Sequence, residues 1–570
     1  MNIYLSFIKL LPARLLRRLY ILVPMLGVAG IIEVASIASL IPLMSVALDA
    51  NKISQVNNFL EMQLNYNQML VFLAVGIVFI FILKGVFSLY VYRYTYKFVA
   101  NAKAYIQRNL FYHYLYKDIQ FYLNSNSSEY IRNIMTECNV VEARFIMPVL
   151  VLMSEIVPLS CLLAFVIYLN PLGILLSSVL FVSVGFIITK LTSPKLKEYA
   201  KGQMCSDGAM IKNAQQAFNS IKEVLIYSQQ ETFTEEFRQH SQQSASCISN
   251  GLFINSLPKY ILEVVAIIGV FIIGSVAFFS GLKVEEIFIQ MGVFFAALVK
   301  ILPSANKIVA HFQALSYAKP SIENYMHSIQ QRVSPKGEGD AIVNSAELGE
   351  FMTIDFNDVS FSYHEHSIID NFNFQFKKGD TVGIVGKTGS GKSTLLNIIL
   401  GLLSPDEGLV LVNNHKMQEV LSSYRNKIGY VPQETYLLDD SLFHNVTFYR
   451  DFKDTDSARE RVSSLLHEMD LGELVSTQEG LDTFVGEQGS RLSGGQRQRI
   501  GIARALFKDP EIIIFDEATS ALDKVTEKKI IDYVMRYKGT KTIIMIAHRE
   551  STLEKCDYIV HLENGNVYVS

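Results

Sequence analysis

Thr381-Val382-Gly383-Ile384-Val385-Gly386-Lys387-Thr388-Gly389-Ser390-Gly391-Lys392-Ser393 starts as a short apolar strand and runs into a glycine-rich loop ending on lysine and serine. Residues 394–402 that follow carry a helical pattern, so the loop joins a strand to a helix N-terminus, the setting that a phosphate-binding loop requires. Backbone amides from Gly386 through Lys387, Thr388, Gly389, Ser390 and Gly391 to Ser393 and Thr394 are then expected to receive nucleotide phosphates. Lys392 would reach the outer phosphates and Ser393 would offer an oxygen to magnesium. Further along comes Leu492-Ser493-Gly494-Gly495-Gln496. From average residue usage the loop pattern arises by chance in roughly one chain in fifty of this length, and the second pattern in about one in a thousand. Together they are no accident. The second motif has no task beside its own phosphate loop, so it implies a second copy of the domain facing this one across a nucleotide.

Ile512-Ile513-Ile514-Phe515-Asp516-Glu517 reads as another buried strand, ending in two carboxylates after the turn at Lys508-Asp509-Pro510. Asp516 is placed to hold magnesium, and Glu517 to orient or deprotonate an attacking water. His548, after the apolar strand 542–547, supplies a neutral or protonated donor near the terminal phosphate.

The first half of the chain differs in composition. At 570 residues and 50% hydrophobic, the chain is too long for one core and apolar enough to require burial in lipid. A net charge of -3 without a basic tract argues against nucleic acid as a partner. The five cysteines, Cys138, Cys161, Cys205, Cys247 and Cys556, show no pairing pattern for a zinc site or a disulfide framework. Six apolar runs, near 20–48, 69–92, 145–169, 172–188, 260–279 and 287–302, approach the length needed to cross a hydrocarbon core about 30 Å thick. The first is too long for a signal-peptide core and is expected to stay as an anchor.

Lys and Arg placement orients the spans: the inferred outer loops carry only Lys52 and Lys283, and the other side holds Arg14, Arg17, Arg93, Lys97, Lys190, Lys195 and many more. Both termini are therefore expected in the cytoplasm. The inner segments 93–144 and 190–256 are long, polar and helix-compatible, as if membrane helices continued beyond the lipid. Near their tips, 120–128 and 214–222 are candidates for short turns that touch the ATPase, a solvated helical hairpin being the other reading. Residues 5–19 carry an apolar stripe opposite basic residues, as expected of a helix lying in the inner interface. Outside, Ile53, Val56, Leu60 and Leu64 fit either a small amphipathic helix or an ordinary packed loop.

From about residue 351 onward the chain resembles the nucleotide-binding domain of ATP-binding-cassette transporters, with every family motif matched. The resemblance implies ATP and Mg2+ as cofactors and assigns further roles. Tyr363, between the first two strands of the domain, matches the aromatic that stacks on adenine, and Gln433 in Tyr430-Val431-Pro432-Gln433 matches the glutamine that contacts magnesium and water. Residues 483–489, Thr-Phe-Val-Gly-Glu-Gln-Gly, resemble the exporter segment that touches coupling helices, and Asp523 closes the motif whose loop crosses to the partner domain. Ser493 and Gly495, within the motif completed by Gly494 and Gln496, are expected to bind the terminal phosphate held by the other subunit. A homodimer that hydrolyses ATP at both sites follows. Six spans fused ahead of the ATPase resemble an exporter half-transporter, a translocase of the bacterial inner membrane.

The expected architecture is thus an α-helical membrane domain over 1–320, with six transmembrane helices extended into the cytoplasm. A linker at 321–350 and an α/β P-loop nucleotide-binding domain over 351–570 follow it. Cargo must be read from the membrane half, which resembles bacterial flippases of lipid-linked oligosaccharides in the stretches 256–263 and 298–307. That resemblance implies basic residues that hold a lipid pyrophosphate, and Lys84, Lys259 and Lys300 are the candidates; snorkelling or a structural pair with Glu33, Glu155 or Glu263 is the competing reading. Export of a peptide, lipid or drug is the alternative cargo, and a membrane-tethered regulatory ATPase the alternative class.

Overall fold

The structure, a computed structural model, describes residues 2–39, 65–169, 171–280, 284–330, 347–363, 366–448, 455–518, 523–546, 554–563 and 566–570. Within these, the side chains of 2, 37–38, 161–175, 177–178, 277, 284–300 and 566 are not described. Two compact units result: Met1–Leu115 with Ser125–Arg332, and Tyr116–Asn124 with Val333–Ser570.

In the first unit, α1 (Asn2–Lys9) and α2 (Ala13–Ala38) are separated at residues 10–12, where Pro12 interrupts the helical pattern. The single interfacial helix expected over 5–19 is therefore two helices. Its apolar stripe also meets protein: Phe7, Leu11 and Leu15 are buried, and the Phe7 ring stands edge-on to Phe145 at 5.3 Å. Burial against aromatic side chains satisfies the stripe without lipid. After α3 (Tyr66–Leu115) come α4 (Ile119–Leu123) and α5 (Ser127–Arg132), then two π-helical turns, Asn133–Glu137 and Glu142–Ile146, leading into α6 (Met147–Leu169). The rest is α7 (Pro171–Asn219), α8 (Ile221–Ile226), α9 (Gln230–Phe279) and α10 (Val284–Gln330).

The length of these helices follows from the sequence pattern. In α3, 50 residues at 1.5 Å each span about 75 Å, more than twice a bilayer core. Its lower half buries Val91, Thr95, Phe98, Val99, Ala102, Ile106 and Leu110 at steps of three and four, one helical face, so the polar extension is held by packing. Among the described residues four helical stretches are long and apolar enough to cross a membrane: Ala13–Ser36, Tyr66–Leu115, Val179–Asn219 and Gln230–Val276. The expected runs 145–169 and 287–302 fall in α6 and α10, whose side chains are described only in part. The outer segment 53–64 lies outside the described residues. Of the two expected turns, 214–222 proves helical through Asn219, with the break at Ser220. Residues 120–128 do form short elements, α4 and α5, and the segment Tyr116–Asn124 clusters with the ATPase unit, where Ile119 packs against the core.

The second unit is built on two sheets. β1 (Thr353–Tyr363), β2 (His366–Lys377), β4 (Glu407–Val412) and β5 (His415–Lys416) make an antiparallel sheet in the order β2-β1-β4-β5. Tyr363 ends β1 and pairs with His366 across the hairpin, so it belongs to a strand and not to the connection. β3 (Thr381–Gly386), β6 (Ile428–Val431), β7 (Ile512–Asp516), β8 (Thr542–Ile546), β9 (Tyr558–Glu563) and β10 (Asn566–Val569) form the other sheet, in the order β10-β9-β3-β8-β7-β6. All of its pairings are parallel except β9 with β10. Burial on both faces explains why β7 and β8 are unbroken apolar runs: Ile512, Ile513 and Ile514 are each 0% exposed. Parallel strands also align their C-terminal ends on one edge, where ligands of such sheets bind.

Candidate active site

The phosphate loop and the carboxylate pair Asp516 and Glu517 sit at that edge. β3 runs into the phosphate loop, which turns into α11 (Lys392–Ile399) through Gly391 at φ +99°. A side chain there would be strained, and its Cβ would stand 2.7 Å from the Ile368 side chain, so the glycine is required by both conformation and space. Lys392 is buried and folds over the loop, its ammonium donating to the carbonyls of Gly386 at 2.8 Å and Lys387 at 3.1 Å. Ser390 Oγ is buried without a hydrogen-bond partner among the described residues. A buried lysine held only by carbonyls and an unsatisfied hydroxyl fit an incoming phosphate, whose oxygens would satisfy both.

One strand away from β3, across β8, β7 delivers Asp516, and Glu517 follows it. Glu517 adopts φ +49°, a conformation costly for a residue with a side chain, while its N–H donates to the Ile546 carbonyl at 3.2 Å. Gln433, just past β6, donates from Nε2 to Glu517 Oε2 at 2.9 Å, and Tyr430 on β6 donates its hydroxyl proton to Asp516 Oδ2 at 3.3 Å. The fold thus brings Gln433 onto Glu517, two residues that pattern reading assigned separately. Tyr430 escaped that reading because nothing in Tyr-Val-Pro-Gln marks its hydroxyl. Strand alternation would have suggested it, because Tyr430 is paired with Ile514 and faces the same side of the sheet as Asp516.

Burial pushes the Asp516 carboxyl above the ordinary aspartate range; the Tyr430 hydrogen bond and Lys392 pull it down, and neighbouring Glu517 adds to the rise. Two adjacent carboxylates repel each other and suit a divalent cation, which reverses that balance. Asp516, Ser393 and Gln433 offer hard oxygen donors, the set that suits magnesium.

The second motif begins a helix of its own. To reach it, α12 (Met417–Arg425) packs on the core between the sheets, and α13 (Leu442–Thr447) and α14 (Asp456–Glu468) build a helical layer around Leu466, Ile500 and Ile502, each 0% exposed. Ser493 is the N-cap of α15 (Gly494–Phe507): its Oγ accepts from the Gln496 N–H at 3.2 Å, and its N–H donates to Gln496 Oε1 at 2.8 Å. This reciprocal capping box occupies Gln496 in ordering the helix start and leaves the Ser493 hydroxyl proton free to donate. Asp523 likewise caps a helix, α16 (Lys524–Val534), accepting from the Val525 and Thr526 amides at 3.1 and 3.0 Å. The Tyr363 ring is half-buried, edge-on to Phe361 at 5.0 Å. His548 and residues 520–522 lie outside the described residues.

In the membrane unit the three candidate lysines fare differently. Lys84 has Glu33 at 3.9 Å and lies over the Phe81 ring, so the structural-pair reading is realised there. Lys259 is exposed beside the Tyr260 ring, at 5.5 Å from its centre. Lys300 lies in α10 with its side chain outside the described set. Glu155, a further acid of the spans, pairs with Lys307 at 2.6 Å.

Known proteins match this arrangement at three levels. The ABC transporter family matches residues 369–520, and the ABC transporter transmembrane region matches 21–302. An ATP-dependent lipid A-core flippase of Escherichia coli (strain K12) is 29% identical over 508 residues, covering 87% of this chain and 84% of that protein. A protein of the same description from Shigella flexneri matches to the same extent. Among solved structures, a bacterial Atm1-family ABC exporter with ATP bound superposes with a TM-score of 0.79 over 97% of this chain and 94% of that one, at 20% identity.

Proposed function

We propose that this chain, which belongs to the ATP-binding-cassette transporters as a half-transporter with membrane and ATP-binding domains, flips a phosphate-linked glycolipid outward, most specifically a polyprenyl-pyrophosphate-linked oligosaccharide. That it is an ATP-driven translocase of lipid or amphipathic substrates follows from the family. The finer cargo is our reading. It is supported by relatives named as lipid A-core flippases and by cationic side chains in or beside predicted spans, where a charge is costly unless it has work to do. Lys259 carries the proposal furthest, being exposed next to an exposed Tyr260 near the start of an apolar run. Lysines would act on a pyrophosphate as point charges and not as bidentate forks.

In the reading we favour, the functional unit is a homodimer in the bacterial inner membrane with both termini cytoplasmic. Lys392 and the phosphate loop hold ATP, and magnesium is held by Ser393, Gln433 and Asp516. Glu517, kept in place by Gln433, orients or deprotonates the water, and His548 donates to the terminal phosphate. The partner's motif, offering the Ser493 hydroxyl and the Gly495 amide, closes the site, while Tyr363 stacks on adenine. Magnesium would neutralise charge between the outer phosphates.

Reconstitution with labelled lipid-linked sugars, phospholipids and peptides tests the cargo. The expected result is movement of the pyrophosphate-linked sugars with ATP, abolished by Glu517→Gln. Lys259→Ala and Lys300→Ala should lower translocation several-fold more than basal ATP hydrolysis, and Lys84→Ala less, because Glu33 already neutralises it. Unchanged flipping in all three variants, or transport of peptides alone, would overturn the assignment.

A further inference from the structure

Tyr430 is assigned no role by the sequence, yet it is the described side chain whose hydroxyl contacts the carboxylate of Asp516, at 3.3 Å. The contact is set by topology. β6 and β7 run parallel with Tyr430 opposite Ile514, so the side chain of Tyr430 shares a face with Ile514 and Asp516 and reaches one diagonal step toward the strand end. Its ring is held from below, packing against the hydrophobic core between the two sheets, and this limits where the hydroxyl can go. A phenol is a proton donor at neutral pH, so it binds one oxygen, Oδ2, and leaves Oδ1 to other partners.

We propose that Tyr430 is a positioning residue for the metal-binding carboxylate: its hydroxyl fixes the rotamer of Asp516 so that the other carboxylate oxygen is presented to magnesium. The inference rests on the reading of Asp516 as a magnesium holder. It goes beyond that reading in naming a residue that acts through Asp516. Magnesium demands near-octahedral geometry and tolerates little wobble in its ligands, so an anchor on the ligating carboxylate matters more for this ion than for larger ones. Partners in the outer shell of a metal site typically change metal affinity by about 10-fold to 100-fold when removed. A single bond at 3.3 Å, to a carboxylate that Lys392 also stabilises, places Tyr430 at or below the lower end of that range.

The test uses the full chain in nanodiscs, comparing the parent with Tyr430→Phe and Asp516→Asn. Tyr430→Phe keeps the ring and its packing, and an unchanged melting temperature without ligand confirms that the fold survives. Binding of Mn2+ in the presence of ATP is followed by electron paramagnetic resonance in a Glu517→Gln background, and the Mg2+ concentration for half-maximal hydrolysis is measured in the Glu517 parent. Tyr430→Phe is expected to weaken Mn2+ binding and raise the Mg2+ half-point about 3-fold to 10-fold. ATP binding without metal and the rate at saturating Mg2+ should stay within about 2-fold, because the anchor only orients the ligand. Larger ions should feel it less, so the half-point for Ca2+ competition should move less than that for Mg2+. If Tyr430→Phe lowers the saturating rate with no change in metal dependence, its role is merely structural and the proposal fails. Should Asp516→Asn leave Mn2+ binding intact, the fault lies instead in the reading of Asp516.

Discussion

Glu511 shows how one side chain can secure a domain entrance. Its carboxylate accepts the Phe351 N–H at 2.6 Å and pairs with the Lys427 ammonium, joining the start of the ATPase unit to the strands β6 and β7. Burial alone would raise this carboxyl, but the Lys427 hydrogen bond and the Phe351 amide outweigh it and hold the group below its ordinary value of 4.5. A lowered acid binds fewer protons folded than unfolded, so its stabilisation is complete above about pH 4.5 and is lost as pH falls through the folded value. Asp509, beside Lys541, and Asp557, beside Lys538, are lowered as well and act in the same direction. Thermal melting of the full chain between pH 7 and pH 4 should show the ATPase unit losing stability toward acid, with Glu511→Gln less stable at pH 7 and less acid-sensitive. Equal acid sensitivity in parent and variant would remove Glu511 from the account. Such pairs were not legible in the sequence: Lys427 and Glu511 are 84 positions apart and meet only because β6 lies beside β7.

Among elements, the π-helical turns after α5 carry a buried polar network of the membrane unit. Arg132 Nη1 donates to the Met204 carbonyl on α7 at 3.2 Å, and Nη2 donates to Asn133 Oδ1 at 3.0 Å. Asn133 Oδ1 also accepts from Asn324 at 2.8 Å, Asn133 Nδ2 donates to the Tyr114 hydroxyl at 2.8 Å, and Ser321 donates to Glu137 at 2.6 Å. Four helical segments are tied together by groups that would each be costly to bury alone. Gly208 makes room, since a Cβ there would lie 2.6 Å from the Arg132 guanidinium. π-Turns are frequent at functional sites, and here the first begins ten residues after the end of α4, the segment that clusters with the ATPase unit. Arg132 Nε also lies 3.9 Å from the buried Glu137 carboxylate, so Arg132→Ala should destabilise the membrane unit by about 3–5 kcal/mol, the cost of breaking a buried charged pair. Arg132→Lys should recover only part of that, because an ammonium lacks the fork that serves Asn133 and Met204 together. Unfolding can be followed by tyrosine fluorescence, as the chain contains no tryptophan; full rescue by lysine would show that charge alone matters. The helices around this network were readable from periodicity. Their π-turns were not, because the extra residue per turn answers to neighbours on α7 and α10 and leaves no mark in the local pattern.

At the scale of the whole molecule, one copy carries a phosphate loop and one copy of the Leu-Ser-Gly-Gly-Gln motif, and the proposed homodimer makes each ATP site from both chains. The capped start of α15, with the Ser493 hydroxyl proton free, suits that arrangement. Complementation checks it directly. Chains bearing Lys392→Ala or Ser493→Arg should each be inactive alone. Co-assembled, they place both lesions at one site and leave the other intact, so up to about half of the parental ATP hydrolysis per dimer should return if the sites fire independently. No recovery in verified mixed dimers, or full activity of either variant alone, would refute composite sites.

The division between sequence and structure follows from the range of the interactions. A strand, a glycine turn and a helix N-terminus are local, so Gly386 to Ser393 declared the phosphate loop, and unbroken apolar runs declared buried strands and membrane helices before any coordinate was known. Such patterns record how a residue relates to neighbours three or four positions away. They carry no record of helix rotation or strand order. Only the tertiary structure could pair Lys84 with Glu33, bury the Phe7 stripe in protein, set Gln433 on Glu517 and aim the Tyr430 hydroxyl at Asp516. Each of these depends on which elements become neighbours, which packing of the entire chain decides.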